Sequence, residues 1–425
     1  MGLLLASEAD EAGPADASKR PAGWRGRTQG HVQGHLRSQL VATLGLAPLS
    51  LVIFQQLSIV GFLANLVAIP LVTLLITPLA LVGALIPTLW TPAAWAVQAL
   101  VWGLSWLASW PMAVWTVPAA PWWAQCCGMG GALLGVMPWP WRLRAAAFPL
   151  VLPLLWPALQ RPAEGAFDLV VADIGQGTAV LVRTRGHLLV YDTGPLYSRE
   201  SDAGERVLVP LLQSRGEHHV DELVLSHRDI DHVGGANSLQ TAVPVLHTLS
   251  SLSPDHPLLR NRPHTRCDDG QGWLWDGVRF ALLHPTPDEH AVATKSNAVS
   301  CVLKVTDAEG RSLLLTGDIE SPQEAALLQR HAADLPSTWL LVPHHGSRTS
   351  SSAAFLDAVH PQAALVQAGY RSRFGHPAPD VVARYDERHI DVVRTDRCGA
   401  WMWHDGAAAC TRKVRARYWH WQASP

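Results

Sequence analysis

The sequence predicts a multi-pass α-helical membrane region followed by an α+β sandwich, and three observations point there. No Asp, Glu, Lys or Arg occurs from Ser38 to Trp141, although 16% of the 425 residues are charged. After Glu164 the pattern changes to short β-rich runs divided by glycine turns, with helical spacing between some of them. Those runs end repeatedly in Asp and His, which places polar chemistry on strand-end loops.

Residues 1–37 are polar and small, carry Lys19, Arg20, Arg25, Arg27 and Arg37, and have no periodic apolar pattern. They read as a disordered tail. The basic, apolar and cleavage-site order of a secretory signal is missing, so the apolar block that follows is expected to be retained. That block, residues 38–160, divides into about five runs near the length needed to cross ~30 Å of hydrocarbon: 40–56, 59–86, 92–110, 125–139 and 145–160. A charge at the bilayer centre costs about 2.5–3.5 kcal/mol on insertion scales, which is the physical reason for its exclusion there. Pro48, Pro70, Pro78 and Pro87 interrupt the first half, compatible with simple kinks or with helices broken around a pathway. Several tryptophans, Trp90, Trp110, Trp122 and Trp139 among them, fall where runs end, as interfacial belts do. Gln55, Gln56, Ser58 and Asn65, near the junction of the first two runs, suit helix-joining amides or the lining of a route. With the basic tail and the Arg142–Arg144 loop on the cytoplasmic side, a fifth span puts everything after Arg161 on the outer face.

The whole chain has 33 Lys and Arg against 35 Asp and Glu, of which seven and four precede Arg161. The remainder is mildly acidic, so gross charge gives no support to a polyanion ligand and any such claim rests on local patches. Two patches interleave cations with aromatics, Tyr370–Phe374 and Arg412–Trp421. The six cysteines show no zinc-finger or Cys-x-x-Cys spacing. Cys126 and Cys127 read as small buried side chains of the apolar half. Cys398 and Cys410 flank a possible hairpin and can pair in an oxidising compartment.

In the second half, strands are expected at Phe167–Asp173, Thr178–Arg183 and His187–Asp192, a helix at Glu205–Arg215, and a strand at Glu222–Ser226. Later strands are expected at Phe280–Leu283, Ser300–Val305, Ser312–Thr316 and Trp339–Val342. The strand ending at Ser226 runs straight into His227, Asp229, Asp231 and His232, with Gly234 and Gly235 behind them. Imidazole and carboxylate suit zinc or manganese, and alternate side chains of a loop leaving a strand can converge on one or two ions. Three other strands deliver residues of the same type: Asp192 in Asp-Thr-Gly, Asp318 in Leu-Thr-Gly-Asp, and His344–His345 before Gly346. Singly these are ordinary turn chemistry. Together they form an ordered series.

That series resembles the metallo-β-lactamase superfamily, whose fold is an αβ/βα sandwich with metals at the sheet edge. More narrowly, Asp173-Ile-Gly-Gln-Gly177, Asp192-Thr-Gly194, Ser226–Gly235, Leu315–Asp318, His344–Ser347 and Phe374-Gly-His-Pro377 resemble the C-terminal domain of the ComEC competence family. The stretch Phe54–Pro70 resembles the end of that family's membrane competence domain. The resemblance implies a metallo-β-lactamase-like domain over residues 166–420. It implies two divalent ions, manganese or zinc, held by His227, Asp229, Asp231, His232, Asp318 and His344, with His345 the second choice to His344. Asp231 and His376 are the implied catalytic residues, His376 as proton donor or phosphate contact. Asp192, Asn297, Ser347, Arg371 and Arg373 are the implied substrate contacts, Asn297 standing where many members have a further histidine. The sequence departs from the family at Thr178 and Ser372, and a shortened or divided member is expected.

The function implied is DNA uptake at the bacterial inner membrane, with a metal-dependent nuclease domain acting on DNA, the lipid bilayer as anchor, and other competence proteins or a separate N-terminal module as partners. Two alternatives stay open: a DNA-channel fragment with a vestigial cap, or an anchored metallo-hydrolase of another phosphodiester or a thioester.

Overall fold

The computed structural model describes residues 24–414 and 416–418. The chain falls into two compact units, one running to Leu159 and taking in Gln213–Gly216, the other formed by Gln160–Leu212 and the residues from Glu217 on.

The first unit is helical: α1 (Trp24–Phe54), α2 (Gly61–Leu71), α3 (Thr77–Gly83), α4 (Trp90–Ala108), α5 (Trp122–Val136), α6 (Trp141–Ala145) and α7 (Ala147–Leu155). One antiparallel pair, β1 (Gln56–Ser58) with β2 (Val114–Thr116), ties its first and middle parts together. A π-turn at Val72–Ile76 joins α2 to α3 into one helix. It lies between Pro70 and Pro78, which remove backbone donors from the regular ladder. The combined helix Gly61–Gly83, 23 residues long, is the one helix among the described residues that is both long and apolar enough to cross a membrane. Its length is roughly 35 Å.

Two expectations need correction here. Helix α1 begins at Trp24, so residues 24–37 of the expected disordered tail are helical, while 1–23 lie outside the described residues. Extending a helix already nucleated by the apolar Ser38–Phe54 segment costs little, and the Gln, Arg and Leu in this stretch are competent helix formers. Helices occupy all five expected runs, and among the described residues Gly61–Gly83 is the one that meets both the length and the apolarity of a span. α4 is diluted by tryptophan and Gln98, α5 has 15 residues and stops before Pro138, and α7 has nine. Cys126, expected to be buried, is exposed.

The second unit is a four-layer sandwich. Its first sheet has eight strands in the order β10-β9-β8-β5-β4-β3-β18-β19. These are β3 (Asp168–Val171), β4 (Val180–Arg183), β5 (Leu188–Tyr191), β8 (Val220–Leu225), β9 (Val245–Ser250), β10 (His264–Arg266), β18 (Trp401–His404) and β19 (Ala407–Cys410). A small hairpin, β6 (Leu196–Ser198) with β7 (Ser201–Asp202), stands apart. The second sheet has seven strands in sequence order: β11 (Gly272–Trp275), β12 (Val278–His284), β13 (Val302–Thr306), β14 (Ser312–Leu315), β15 (Trp339–Leu341), β16 (Ala363–Val366) and β17 (Asp391–Arg394).

Period-two alternation sorts the side chains. Leu169, Val171, Val180, Val182 and Leu189 of the first sheet meet Phe280, Leu282, Leu303, Val305 and Leu313 of the second in one buried core. The intervening Val170, Leu181 and Val190 face outward and are covered by α8 (Val209–Ser214) and α10 (Ala236–Ala242) through Leu212 and Leu239. On the far side Leu314, Leu340 and Ala364 are covered by Leu327 of α12 (Ser321–His331), Phe355 of α13 (Ala353–Val359) and Tyr385 of α14 (Pro379–Asp386). Two short helices, α9 (Ile230–Val233) and α11 (Pro287–Val292), sit on the loops at one rim.

Disulfides join Cys398 to Cys410, at the open end of the β18–β19 hairpin, and Cys267 to Cys301. The second pairing has no local signal, because its partners are 34 residues apart and come from different sheets.

Gly234 and Gly235 let the chain after α9 lie directly on neighbouring backbone. A Cβ on Gly235 would stand 2.3 Å from the Gly204 nitrogen and 2.4 Å from the Thr193 oxygen, neither of which can swing aside. Gly235→Ala is therefore expected to destabilise the domain by more than about 3 kcal/mol in urea unfolding. A loss under about 0.5 kcal/mol would contradict this packing.

Candidate metal centre

The loops at one rim of the sandwich begin where adjacent parallel strands stop. In the first sheet β5 and β8 run parallel and end at Tyr191 and Leu225, so Asp192 and Ser226–His227 emerge side by side. In the second sheet β14 and β15 run parallel and end at Leu315 and Leu341, releasing Asp318 and the His344–His345 pair. Asp229 occupies the N-cap position of α9 without capping it, its carboxylate being held instead by the Ser296 hydroxyl at 2.6 Å. His344 and His345 both adopt left-handed backbone, with φ of 50° and 54°. Such residues cost of order 1–3 kcal/mol each and persist where the surroundings over-determine them. Here the His344 amide donates to the Gly317 carbonyl, and the Ser347 amide donates to that of His344.

Each histidine of the cluster is oriented through one ring nitrogen. His232 Nδ1–H donates to Asp192 Oδ2 at 2.7 Å. His345 Nδ1–H donates to the Gln367 carbonyl at 3.0 Å. His227 Nδ1 lies 3.0 Å from Ser226 Oγ, whose proton is already given to Asp192 Oδ2, so the imidazole is the donor there too. The other nitrogens all turn inward. His232 Nε2 is 3.1 Å from Asp318 Oδ1, His345 Nε2 is 3.6 Å from that atom and 3.3 Å from Asp231 Oδ2, and His227 Nε2 is 4.0 Å from Asp318 Oδ2. Among the described residues, two groups could each surround an ion: His227, His232 and Asp318; and Asp231, His232 and His345.

These donors fit a divalent metal. His227 Nε2, His232 Nε2, His345 Nε2 and Asp318 Oδ1 are buried polar atoms without a hydrogen-bond partner. A buried group left in that state costs about 1–3 kcal/mol, a debt that coordination removes. Nitrogen and carboxylate donors with the Nδ1 positions fixed by a carboxylate, a carbonyl and a hydroxyl are the arrangement that orients imidazole ligands.

Charge binds the cluster together. Burial works against ionisation of Asp318, yet His232, His345 and His227 outweigh it and hold the carboxyl well below its ordinary range. At Asp231 the same opposition between burial and His345 with His232 leaves the carboxyl at about 2. Burial pulls His232 down, but Asp318 and Asp192 carry it well above the usual imidazole value. Burial lowers His344 and His376, and the neighbouring His345 lowers both further.

The structure brings together His227, Asp231, His232, Asp318 and His345. Asp229 stands at the edge, 3.7 Å from His227 Nε2. Of the paired histidines, His345 takes the inner place and the first choice, His344, the outer one. His344 Nε2 is 3.7 Å from Asp318 Oδ2, and its other nitrogen turns to Glu320 at 3.6 Å. Asp192 is not placed for substrate contact: it is 0% exposed and lies behind His232 and Ser226. Ser347 is also buried, its hydroxyl against Thr349. Asn297 is half-buried, its side-chain oxygen 3.4 Å from the Ser296 hydroxyl. Arg371 and Arg373 are exposed on the rim, each over a neighbouring ring, Tyr370 and Phe374. Phe374 stacks on His376, whose ring is 5.8 Å from that of His344. Trp419 and Trp421 of the second cation–aromatic patch lie outside the described residues. The supporting residues Ser226, Ser296, Ser300 and Gln367 were not foreseen. Ser226 and Ser296 adjoin motif positions, whereas Gln367 has no sequence signal.

The Competence protein family profile matches residues 3–142, and the Metallo-beta-lactamase superfamily profile matches residues 172–370. Uncharacterized protein YcaI of Escherichia coli strain K12 is 34% identical over 382 residues, covering 85% of this chain and 47% of its own. Competence protein ComA of Neisseria gonorrhoeae is 32% identical over 410 residues, 95% of this chain and 56% of its own. Recombination protein 2 of Haemophilus influenzae is 31% identical over 401 residues, with coverages of 85% and 48%. The chain spans about half the length of these curated relatives.

Because His232 holds its proton well above the usual imidazole range, an ion must displace that proton to reach Nε2. Asp231 and Asp318 stay ionised far below neutrality and set no limit there. Metal affinity is expected to rise about tenfold per pH unit from the ordinary imidazole range upward until His232 loses its proton, with proton release on binding measurable by calorimetry in two buffers. An affinity flat with pH would contradict the assignment of His232.

Proposed function

This chain belongs to the competence proteins, in the form that joins a competence segment to a metallo-β-lactamase domain, and we propose that it serves DNA uptake with that domain as a metal-dependent phosphodiester hydrolase acting on DNA. The observation that carries the proposal is the convergence of buried, unpartnered ligand atoms from both sheets on one small volume. The chemistry a divalent ion supplies in such a site is Lewis-acid polarisation of a phosphoryl oxygen and activation of water near neutral pH. His227, His232, Asp318, Asp231 and His345 would hold it, with Asp229 completing the His227 side. His376 borders the cluster on the rim, where a proton for the leaving oxygen is needed. Arg371 and Arg373 stand on the same rim and suit phosphate contacts flanking the scissile bond.

The intact ligand set supports a working hydrolase over a vestigial cap. The proposed setting is the inner membrane, crossed more than once, with the hydrolase domain on the outer face. The apolar outer surfaces of the helical unit support a lipid environment, Trp102 being 73% exposed and Leu85 86%. The outer placement is supported by two disulfides in the hydrolase domain while the free cysteines, Cys126 and Cys127, lie in the helical unit. Proposed partners are DNA, the bilayer and other competence proteins.

Replacing Asp231 and His232 together by Ala is expected to lower metal-dependent DNA cleavage by at least roughly a thousandfold. Cleavage at the parent rate would sink the reading. Asp229 adds a second carboxylate beside Asp318 on the His227 side and gives it a harder character, so manganese is expected to restore activity after chelation at least as well as zinc. Restoration by zinc alone, measured at matched free-ion concentrations, would reverse that assignment.

A further inference from the structure

We propose that Gln367 is a positioning residue: it clamps the two sheets so that Asp231 and His345 are held at the separation their shared ion requires. The inference rests on the metal-centre reading above and assigns a role that no motif carries. Gln367 follows β16 of the second sheet and is 2% exposed. Its side-chain amide reaches the loop between β3 and β4 of the first sheet. There Nε2 donates to the Ala172 carbonyl at 2.8 Å and the Ala179 carbonyl at 2.9 Å, and Oε1 accepts from the Ala179 amide at 3.2 Å. Its main-chain carbonyl takes the Nδ1–H of His345, which turns Nε2 of that ring toward Asp231.

The same loop grips the other partner. The Thr178 amide, next to Ala179, donates to the Asp231 carbonyl at 3.1 Å. A closed ring results: Asp231 to Thr178, along the chain to Ala179, across to Gln367, on to His345, and back to Asp231 over 3.3 Å. Neighbouring contacts reinforce the seam, since Gln176 Oε1 accepts from the Ser372 hydroxyl at 2.8 Å and Gly369 packs on the Gln176 backbone. A ligand pair drawn from different sheets has no covalent frame of its own, so the ring supplies one. The effect is local. It bears on the group Asp231, His232 and His345, whereas His227 is oriented by Ser226 and Ser300.

The test is a cobalt(II) titration of the full chain in detergent, read by its visible absorption and by competition with a chelator. Gln367→Glu keeps the side-chain size and the acceptor for Ala179 but loses both donations. It is expected to weaken cobalt binding on the order of 10- to 100-fold and to shift the visible bands in a chain that is still fully folded at the titration temperature, although its unfolding midpoint falls because two buried carbonyls lose their donor. Unchanged affinity and spectrum in a folded variant would overturn the proposal, as would loss of binding in proportion to loss of fold. Should Gln367→Glu fail to fold, Gly369→Ala decides: its added Cβ, 3.0 Å from the Gln176 nitrogen, pushes the same seam apart and should give a smaller shift in the same direction. His345→Ala separates the two readings. If it leaves cobalt affinity untouched, the metal-centre assignment fails and the clamp with it. If it weakens binding while Gln367→Glu does not, the clamp alone fails.

Discussion

Two sheets have to be pinned at one rim, because neither carries a full set of ligands. His227, Asp231 and His232 follow β8 of the first sheet, and Asp318 and His345 follow β14 and β15 of the second. The hydrophobic core sets the sheets about ten ångströms apart but does not fix how far one slides on the other. Directional bonds do that here. The buried Tyr191 hydroxyl of the first sheet donates to the Cys301 carbonyl at 2.6 Å, and the Cys301 amide donates to the Ser226 carbonyl at 3.0 Å. The Cys267–Cys301 disulfide adds a covalent staple between the end of β10 and the start of β13.

A rim built this way is expensive before it holds an ion. Unpartnered imidazole nitrogens, a buried carboxylate and two left-handed histidines are each unfavourable in isolation. They persist because the large core between the sheets and the helix layers stabilises the rest. Asp192 is left-handed as well, and the turn from His344 to Gly346 directs two adjacent rings to different neighbours: His345 inward to the carboxylates and His344 outward toward Glu320.

Much of this was legible from residue order alone. The continuous apolar runs leading to Asp192, Ser226, Thr316 and Val342 marked the four strand ends, because a strand buried on both faces leaves such a signature and the residue after it is free for chemistry. The histidine that occupies the inner position was not legible. His344 and His345 are chemically identical in sequence and share the same left-handed backbone; the ring that points in is the one whose Nδ1–H meets the distant Gln367 carbonyl, while His344 Nδ1 faces Glu320. Asp192 was misread for a similar reason: a carboxylate at a strand end looks alike whether it faces solvent or supports a ligand from behind. The helical unit was harder still. Absence of charge signals burial in something apolar, but helix length depends on where Pro138 and Trp156 end each run, and hydropathy alone blurs those points. The Cys267–Cys301 bond and the Gln367 seam are long-range pairings, and no local pattern encodes a partner that distant.

The division of ligands between the sheets also imposes a chronology. A chain folded only as far as the first sheet offers His227, Asp231 and His232, yet both three-ligand groups lack their last member until Asp318 or His345 is in place. Closing that separation is a non-local event, made after the local hairpins and helices of each half. Ion capture thus belongs to the final stage of maturation, in whichever compartment the completed sandwich finds itself, and a chain broken before β14 carries no centre to load.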